Sequence, residues 1–255
     1  MRFETGARAS ENWPNKAWCI DYGRLMANPN FQLLIDAAKL LKPILGKLVF
    51  VGGCTTGLLI TDEAAADVRP TYDVDAIAEI TSYMEYAEFS RKLRALGFRE
   101  DSREGAPLCR WCQETTILDV MPLDGKILGF KNRWYRPAME RAEQRELEPE
   151  LKILSVNPVY FCASKLEAFG DRGKNDYLGS RDLEDVIAVV DGRAELVAEV
   201  RAAENDVRSY LAEEIAKLCR RGEFLDALPG HLPPDAASQE RITTVLARLN
   251  EIASL

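Results

Sequence analysis

Histidine is nearly missing from this chain of 255 residues: His231 is the only one, and its Pro- and Gly-rich setting "LPGHLPPD" predicts a surface loop. "CRWC" (Cys109–Cys112) has neither a second Cys-x-x-Cys nor a paired histidine to complete a zinc site, so its thiols are expected to be buried or on an edge strand. A dense disulfide framework is absent too. Cys19, Cys54, Cys109, Cys112, Cys162 and Cys219 are scattered, which fits reduced thiols in a reducing compartment. No uncharged apolar run reaches the length of a membrane span, and residues 1–20 (with Arg2, Glu4, Arg8, Glu11 and Pro14) contain no apolar h-region, so a cytoplasmic protein with no membrane partner is expected. Positive charge is outnumbered, 33 Lys and Arg against 41 Asp and Glu. A net charge of -8 argues against a surface coated for nucleic acid and leaves room only for a local basic patch. The best candidate is 131–145, "KNRWYRPAMERAEQR", which reads equally as a solvated connection with a helix face or as an RNA contact.

The remainder is ordinary for a globular chain, and the length suits one sizeable core or two modest domains. Apolar spacing predicts a helix over 29–43, then a short buried strand in "KLVFVGG" stopped by Gly52 and Gly53. "CTTGLLITDE" is expected to open a helix, and "TYDVDAIAEI" to be the next strand. "TSYMEYAEFSRKLRALGF" is an amphipathic helix with Thr81 or Ser82 as N-cap and Gly97 as its stop. Strands follow at about 98–102, 108–113 and 115–121, with one more inside "ELEPELKILSV". From Asn157 onward the pattern changes to a series of helices, and the C-terminal hundred residues read as all-helical. The expected fold is therefore α+β, a small mixed sheet with flanking helices over 1–155 and a helical C-terminal domain over 156–255.

Three carboxylates interrupt apolar strands. Asp73 and Asp75 alternate onto one strand face, and Asp119 sits between Leu118 and Val120 in "ILDVM". Ionised carboxylates in such places are costly unless paired or metal-bound. If neighbouring strands bring the three together, they form an oxygen cage suited to Mg2+ or Mn2+ and phosphate. In the later helix, Lys165, Ala168 and Arg172 share one face, with the small residue leaving room for a ligand between two cations. Asp182 and Asp185 share another face and could orient Lys165, although "RDLEDV" reads equally as an exposed, salt-bridging helix start.

"FVGG" (Phe50–Gly53), "RPTYDVD" (Arg69–Asp75), "ILDVM", "KLEAFGDR" (Lys165–Arg172) and "RDLEDV" (Arg181–Val186), in that order, resemble the AbiEii-like nucleotidyltransferases, toxins of type IV toxin-antitoxin systems within the DNA polymerase beta-like superfamily. The resemblance covers roughly residues 48–190. It implies a nucleotidyltransferase core in which Gly52, Gly53, Asp73 and Asp75 hold a triphosphate and its divalent metal, with Asp119 as third carboxylate. It also gives Lys165 the role of the family's lysine, and Asp182 and Asp185 that of its D-x-x-D motif. Gly53 stands where many relatives carry Ser, so a hydroxyl contact to phosphate would come from Thr55 or Thr56. Nucleotide binding would thus involve Gly52, Gly53, Thr55, Thr56, Lys165 and Arg172, and catalysis Asp73, Asp75, Asp119, Lys165 and Asp182. The implied reaction moves an NMP from an NTP to an acceptor hydroxyl, with RNA such as tRNA favoured over protein, and a separate antitoxin chain as partner. The alternatives are a nucleotide- or partner-binding module of the same fold without turnover, a DxD glycosyltransferase, and a haloacid dehalogenase-like phosphatase. The last fits poorly because Ala76 and Ile77, rather than Gly and Thr, follow the pair.

Overall fold

The computed structural model describes residues 28–173 and 175–255, so Cys19 and the first twenty residues lie outside the described part. The first helix, α1 (Pro29–Leu40), starts where Asn28 accepts the N–H of Asn30 and Pro29 fills the first turn. It stops short of Pro43, which lies in a following 3-10 turn. Strand β1 (Leu48–Val51) is apolar and buried throughout because it runs through the middle of the sheet. The helix expected from "CTTGLLITDE" is much shorter: a 3-10 turn at Gly53–Thr55 leads into α2 (Thr56–Leu59).

Strand β2 (Asp73–Ala78) follows, then α3 (Tyr83–Ala95). Ser82, not Thr81, is the N-cap of α3. Its hydroxyl accepts the N–H of Glu85, whose carboxylate in turn holds Thr81, and Gly97 leaves the helix at a φ of 93°. Strands β3 (Arg99–Glu100), β4 (Arg110–Gln113) and β5 (Thr116–Pro122) complete this half of the sheet. After α4 (Tyr135–Glu140), a hairpin of β6 (Glu143–Glu148) and β7 (Leu151–Ser155) appears where the sequence suggested a single strand. "EQRELE" is too polar to read as strand, and it forms one because it lies at the sheet edge.

The seven strands run β3-β4-β5-β2-β1-β7-β6. β1 pairs antiparallel with β2 and parallel with β7, while β2 and β5 are parallel, so the sheet is mixed. One face, through Leu48, Phe50, Val74, Ala76, Leu118 and Val120, packs against Phe31, Leu34 and Ile35 of α1 and Phe89 and Leu93 of α3. The opposite face, through Val49, Val51, Ile77 and Met121, packs against the C-terminal helices. These are α5 (Pro158–Arg172), α6 (Arg181–Gly192), α7 (Leu196–Ala202), α8 (Asn205–Cys219), α9 (Gly222–Ala227), α10 (Ala236–Glu240) and α11 (Ile242–Ala253). The last segment, read from sequence as one helix, is broken at Arg241.

The change from mixed sheet to helices falls at Ser155, but a single apolar core runs from Val49 of the sheet to Ile252 of α11. Phe161 and Leu183 are wholly buried in it, each worth about 1.5–3 kcal/mol on transfer from water, so Phe161→Ala would loosen α5 from the sheet. That packing fixes where Lys165 and Asp182 point. Among the described residues, no helix is long and apolar enough to cross a membrane.

Candidate functional site

The site lies on the sheet face that carries the C-terminal helices. Strand alternation puts Asp73 and Asp75 on the same side as Ile77, and Asp119 on the same side as Met121. The parallel β2–β5 register sets Asp75 directly opposite Asp119, and antiparallel pairing sets Arg110 of β4 opposite Asp119 on the other side. Buried Asn30 steadies the approach to β2: its side chain donates to the Arg69 carbonyl (2.8 Å) and accepts the Thr71 N–H (2.8 Å). The Thr71 hydroxyl then donates to Asp73 Oδ1 (2.8 Å).

The glycine pair closes the space below. Val51 is paired with Asp75, so the chain leaves β1 alongside that carboxylate. Gly52 has a φ of 73°, and a Cβ on it would lie 1.9 Å from Asp75 Oδ2, so only glycine fits beneath the side chain. A Cβ on Gly53 would meet the tip of Arg69 at 3.0 Å. Both glycines named from sequence are thus at the site. Thr55 and Thr56 are not: both are buried, the Thr55 hydroxyl donates to the Gly52 carbonyl (2.9 Å), and the Thr56 hydroxyl is enclosed without a partner. The expected phosphate contact from these threonines is corrected, because the 3-10 turn tucks them into the protein.

Arg110 joins two of the carboxylates. It donates through Nη2 to Asp73 Oδ2 (2.8 Å) and Asp119 Oδ2 (2.7 Å), and through Nε to Asp119 Oδ1 (2.9 Å). Hydrogen bonding to Asp119 raises its already high pKa, so it is a permanent cation. The Asp75 carboxylate receives no hydrogen bond or ion pair among the described residues. Burial, followed by repulsion from Asp73, pushes it up to about 7, against the pull of Lys165 and Arg172 and with a further push from Asp119. The buried Cys54 thiol beside it donates to the Val51 carbonyl (3.1 Å) and is driven upward by burial and then by Asp75, which leaves it inert.

A second cluster comes from α5 and α6. Lys165 Nζ lies 2.7 Å from Asp185 and 3.3 Å from Asp182. Arg172 grips Asp182 with two bonds of 3.0 Å, and Arg69 reaches Asp185 at 3.1 Å and Glu184 at 3.2 Å. Burial works to lower the pKa of Lys165, but Asp185, Asp182 and Asp75 outweigh it and hold the group above its usual value. For Asp182, burial opposes ionisation, while Arg172 and Lys165 together prevail and lower its pKa. Tyr135 of α4 borders both clusters, its hydroxyl pushed upward by burial and then by Asp75.

Asp73, Asp75, Asp119, Lys165, Asp182, Arg172, Gly52 and Gly53 therefore converge on one region. Sequence reasoning missed Arg110, Arg69, Tyr135 and Asn30 as parts of it, and of its two readings of Asp185, a partner orienting Lys165 or an exposed helix start, the structure shows the first, since Asp185 is 2% exposed and is the nearest partner of Lys165. Three carboxylates on one face, with no ion pair to Asp75 among the described residues, are oxygen donors of the type a hard divalent cation takes. Among the described residues, no group of three or more His, Cys, Asp and Glu is arranged to hold one, and Arg110 stands between Asp73 and Asp119.

Other sequence features resolve in simpler ways. Cys109 is buried and pushed up to about 12 by desolvation, Cys112 lies in β4, and the cysteines among the described residues are all free. Within 131–145, Arg133 pairs with Glu167, Arg141 with Glu204, and Arg145 is buried against Glu143, so much of that charge is neutralised internally. His231 is partly buried, with Nε2 2.7 Å from the Tyr177 carbonyl. Neither protein-family models nor curated proteins yield a match to this chain.

Proposed function

We propose that this protein is a nucleotidyltransferase that moves an NMP from an NTP to an acceptor hydroxyl. The observation that carries the reading is the β2–β5 register, which sets Asp75 opposite Asp119 and beside Asp73, with Gly52 shaped to the Asp75 carboxylate. Mg2+ or Mn2+ held by Asp73, Asp75 and Asp119 would lower the pKa of the attacking hydroxyl and neutralise charge on the attacking and leaving oxygens.

The chain's own groups position and balance charge. Asp119 is a candidate acceptor for the hydroxyl proton as the oxygen–α-phosphorus bond forms and the bond to the β-phosphate breaks, releasing pyrophosphate. Lys165 places a buried positive charge behind Asp75, and Asp182 ties Lys165 to Arg172. Arg172, 72% exposed, offers its outer edge to polyphosphate. The family resemblance extends the reading to RNA, tRNA first, as acceptor, and to a toxin restrained by a separate antitoxin chain. Arg110 favours one second reading: a nucleotide-binding module in which a guanidinium permanently takes the metal's place.

The test is transfer of α-labelled ATP, CTP, GTP and UTP, each with Mg2+ or Mn2+, to total cellular RNA or to the protein itself. Label is expected to move with the wild type and not with Asp73→Ala or Lys165→Ala. Nucleotide binding that needs no metal, with no transfer to either acceptor, would replace the enzyme with the module, whereas metal-dependent binding without transfer would point to a small-molecule acceptor.

A further inference from the structure

Arg110 is the one group between the carboxylates that the transfer reaction leaves without a task. Its Nη2 touches Asp73 Oδ2 at 2.8 Å and Asp119 Oδ2 at 2.7 Å simultaneously. A divalent cation held by the same two carboxylates would need their oxygens about 2.0–2.1 Å away, closer than the 2.7–2.8 Å they keep from this nitrogen, so they could close on it only once the nitrogen had left. Guanidinium and ion therefore exclude each other by volume, and their like charge adds to the exclusion.

Arg110 also leaves Asp75 unanswered, so it steadies the site without completing it. Its backbone is fixed independently of its side chain, by pairing with Asp119 across β4–β5 and by the Asp101 N–H, which donates to its carbonyl at 3.0 Å. The side chain is 20% exposed at the start of β4, beside exposed Leu108, so it can rotate outward without unpairing a strand.

We infer that Arg110 is an internal counter-ion that bridges Asp73 and Asp119 in the metal-free protein and must leave the gap before a divalent cation binds, thereby setting the site's metal affinity. The inference rests on the metal site of the nucleotidyltransferase reading but not on turnover. Arg110 is a positioning residue here, acting on the carboxylates rather than on substrate. Each charge-assisted contact that the ion must break weakens its apparent binding.

The experiment measures Mn2+ affinity by calorimetry and electron paramagnetic resonance for the wild type, Arg110→Met, Arg110→Lys and Asp75→Asn. Arg110→Met is expected to bind Mn2+ at least ~10-fold more tightly than the wild type, Arg110→Lys to fall between them, and Asp75→Asn to weaken binding. Binding by Arg110→Met where the wild type shows none is the extreme form of the same result. Equal, Asp75-dependent affinity in wild type and Arg110→Met would overturn the counter-ion role and leave the metal reading intact. No binding by any of the chains would overturn both. Should Arg110→Met fail to fold, the wild type still decides. Its Arg110 Nε–H resonance, identified by its absence from the Arg110→Lys spectrum, should move when Mg2+ binds, and an unmoved signal at saturation would refute the displacement.

Discussion

Two groups of ionised side chains share one face of the sheet and differ in how their charge is answered. Around Lys165, three cations (Lys165, Arg172, Arg69) meet three carboxylates (Asp182, Asp185, Glu184), and each side chain has a partner. Around Asp75, among the described residues, three carboxylates share one directly paired cation, Arg110, and the Asp75 carboxylate feels Lys165 and Arg172 only at longer range. A balanced buried network is complete within the protein and holds α5, α6 and the Arg69 segment together. An unbalanced one carries repulsion that an outside cation would remove, and that is the physical signature of a binding site rather than of a brace.

The largest effect should come from breaking the balanced cluster. Asp185→Ala strips Lys165 and Arg69 of a buried partner and should cost about 3–5 kcal/mol in a urea titration, because uncompensated charge stays behind. In the unbalanced cluster, the same kind of change should reduce activity instead: Asp75→Asn should lower transfer by about 10²-fold or more while leaving the metal-free fold as stable or more so. A loss of stability in Asp75→Asn as large as that in Asp185→Ala would erase the distinction.

The glycine pair separates the clusters again. Gly52→Ala forces a Cβ against Asp75 at a φ of 73° and should cost about 1–3 kcal/mol, with transfer impaired. Gly53→Ala meets side-chain tips, Arg69 at 3.0 Å and Asp185 at 3.4 Å, without backbone strain, and should cost less than Gly52→Ala in the same urea titration.

The pH dependence should show opposite signs. Asp75 is raised in the fold, so its contribution to stability is full below its ordinary value of 3.8 and is lost as pH rises toward about 7. Asp182 is lowered, so its contribution is full above 3.8 and is lost as pH falls through its folded-state value. In metal-free protein, Asp75→Asn should flatten the decline between pH 4 and 7, and Asp182→Asn should flatten only the acid limb. A small change is also expected from Arg172→Met, about 1 kcal/mol or less, because most of that side chain is in solvent.

The parts of the site governed by short-range periodicity were legible in the sequence. Two-residue alternation put Asp73 and Asp75 on one face, and helical spacing put Lys165 and Arg172 together, where both now contact Asp182. Parts set by strand register were not. Nothing in "CRWC" reveals that Arg110 faces Asp119, since that follows from the turn between β4 and β5, where Glu114 takes a φ of 50°. Asp185 looked interchangeable with Asp182 until the angle between α5 and α6 brought it closer to Lys165. The mixed sheet and helical second half were readable, whereas edge strand β6 was hidden by its charge, and the shared core of sheet and helices is invisible to local pattern.

That shared core has a consequence for how the protein comes into being. The β2–β5 and β1–β7 pairings are parallel and join strands far apart in the chain, so their loops must close before the contacts reward them. Lys165 and Asp185 emerge later still during synthesis. A nascent chain released before α5 would contain all three strand carboxylates yet lack the helices that cover their face, so such an incomplete translation product should carry no assembled site.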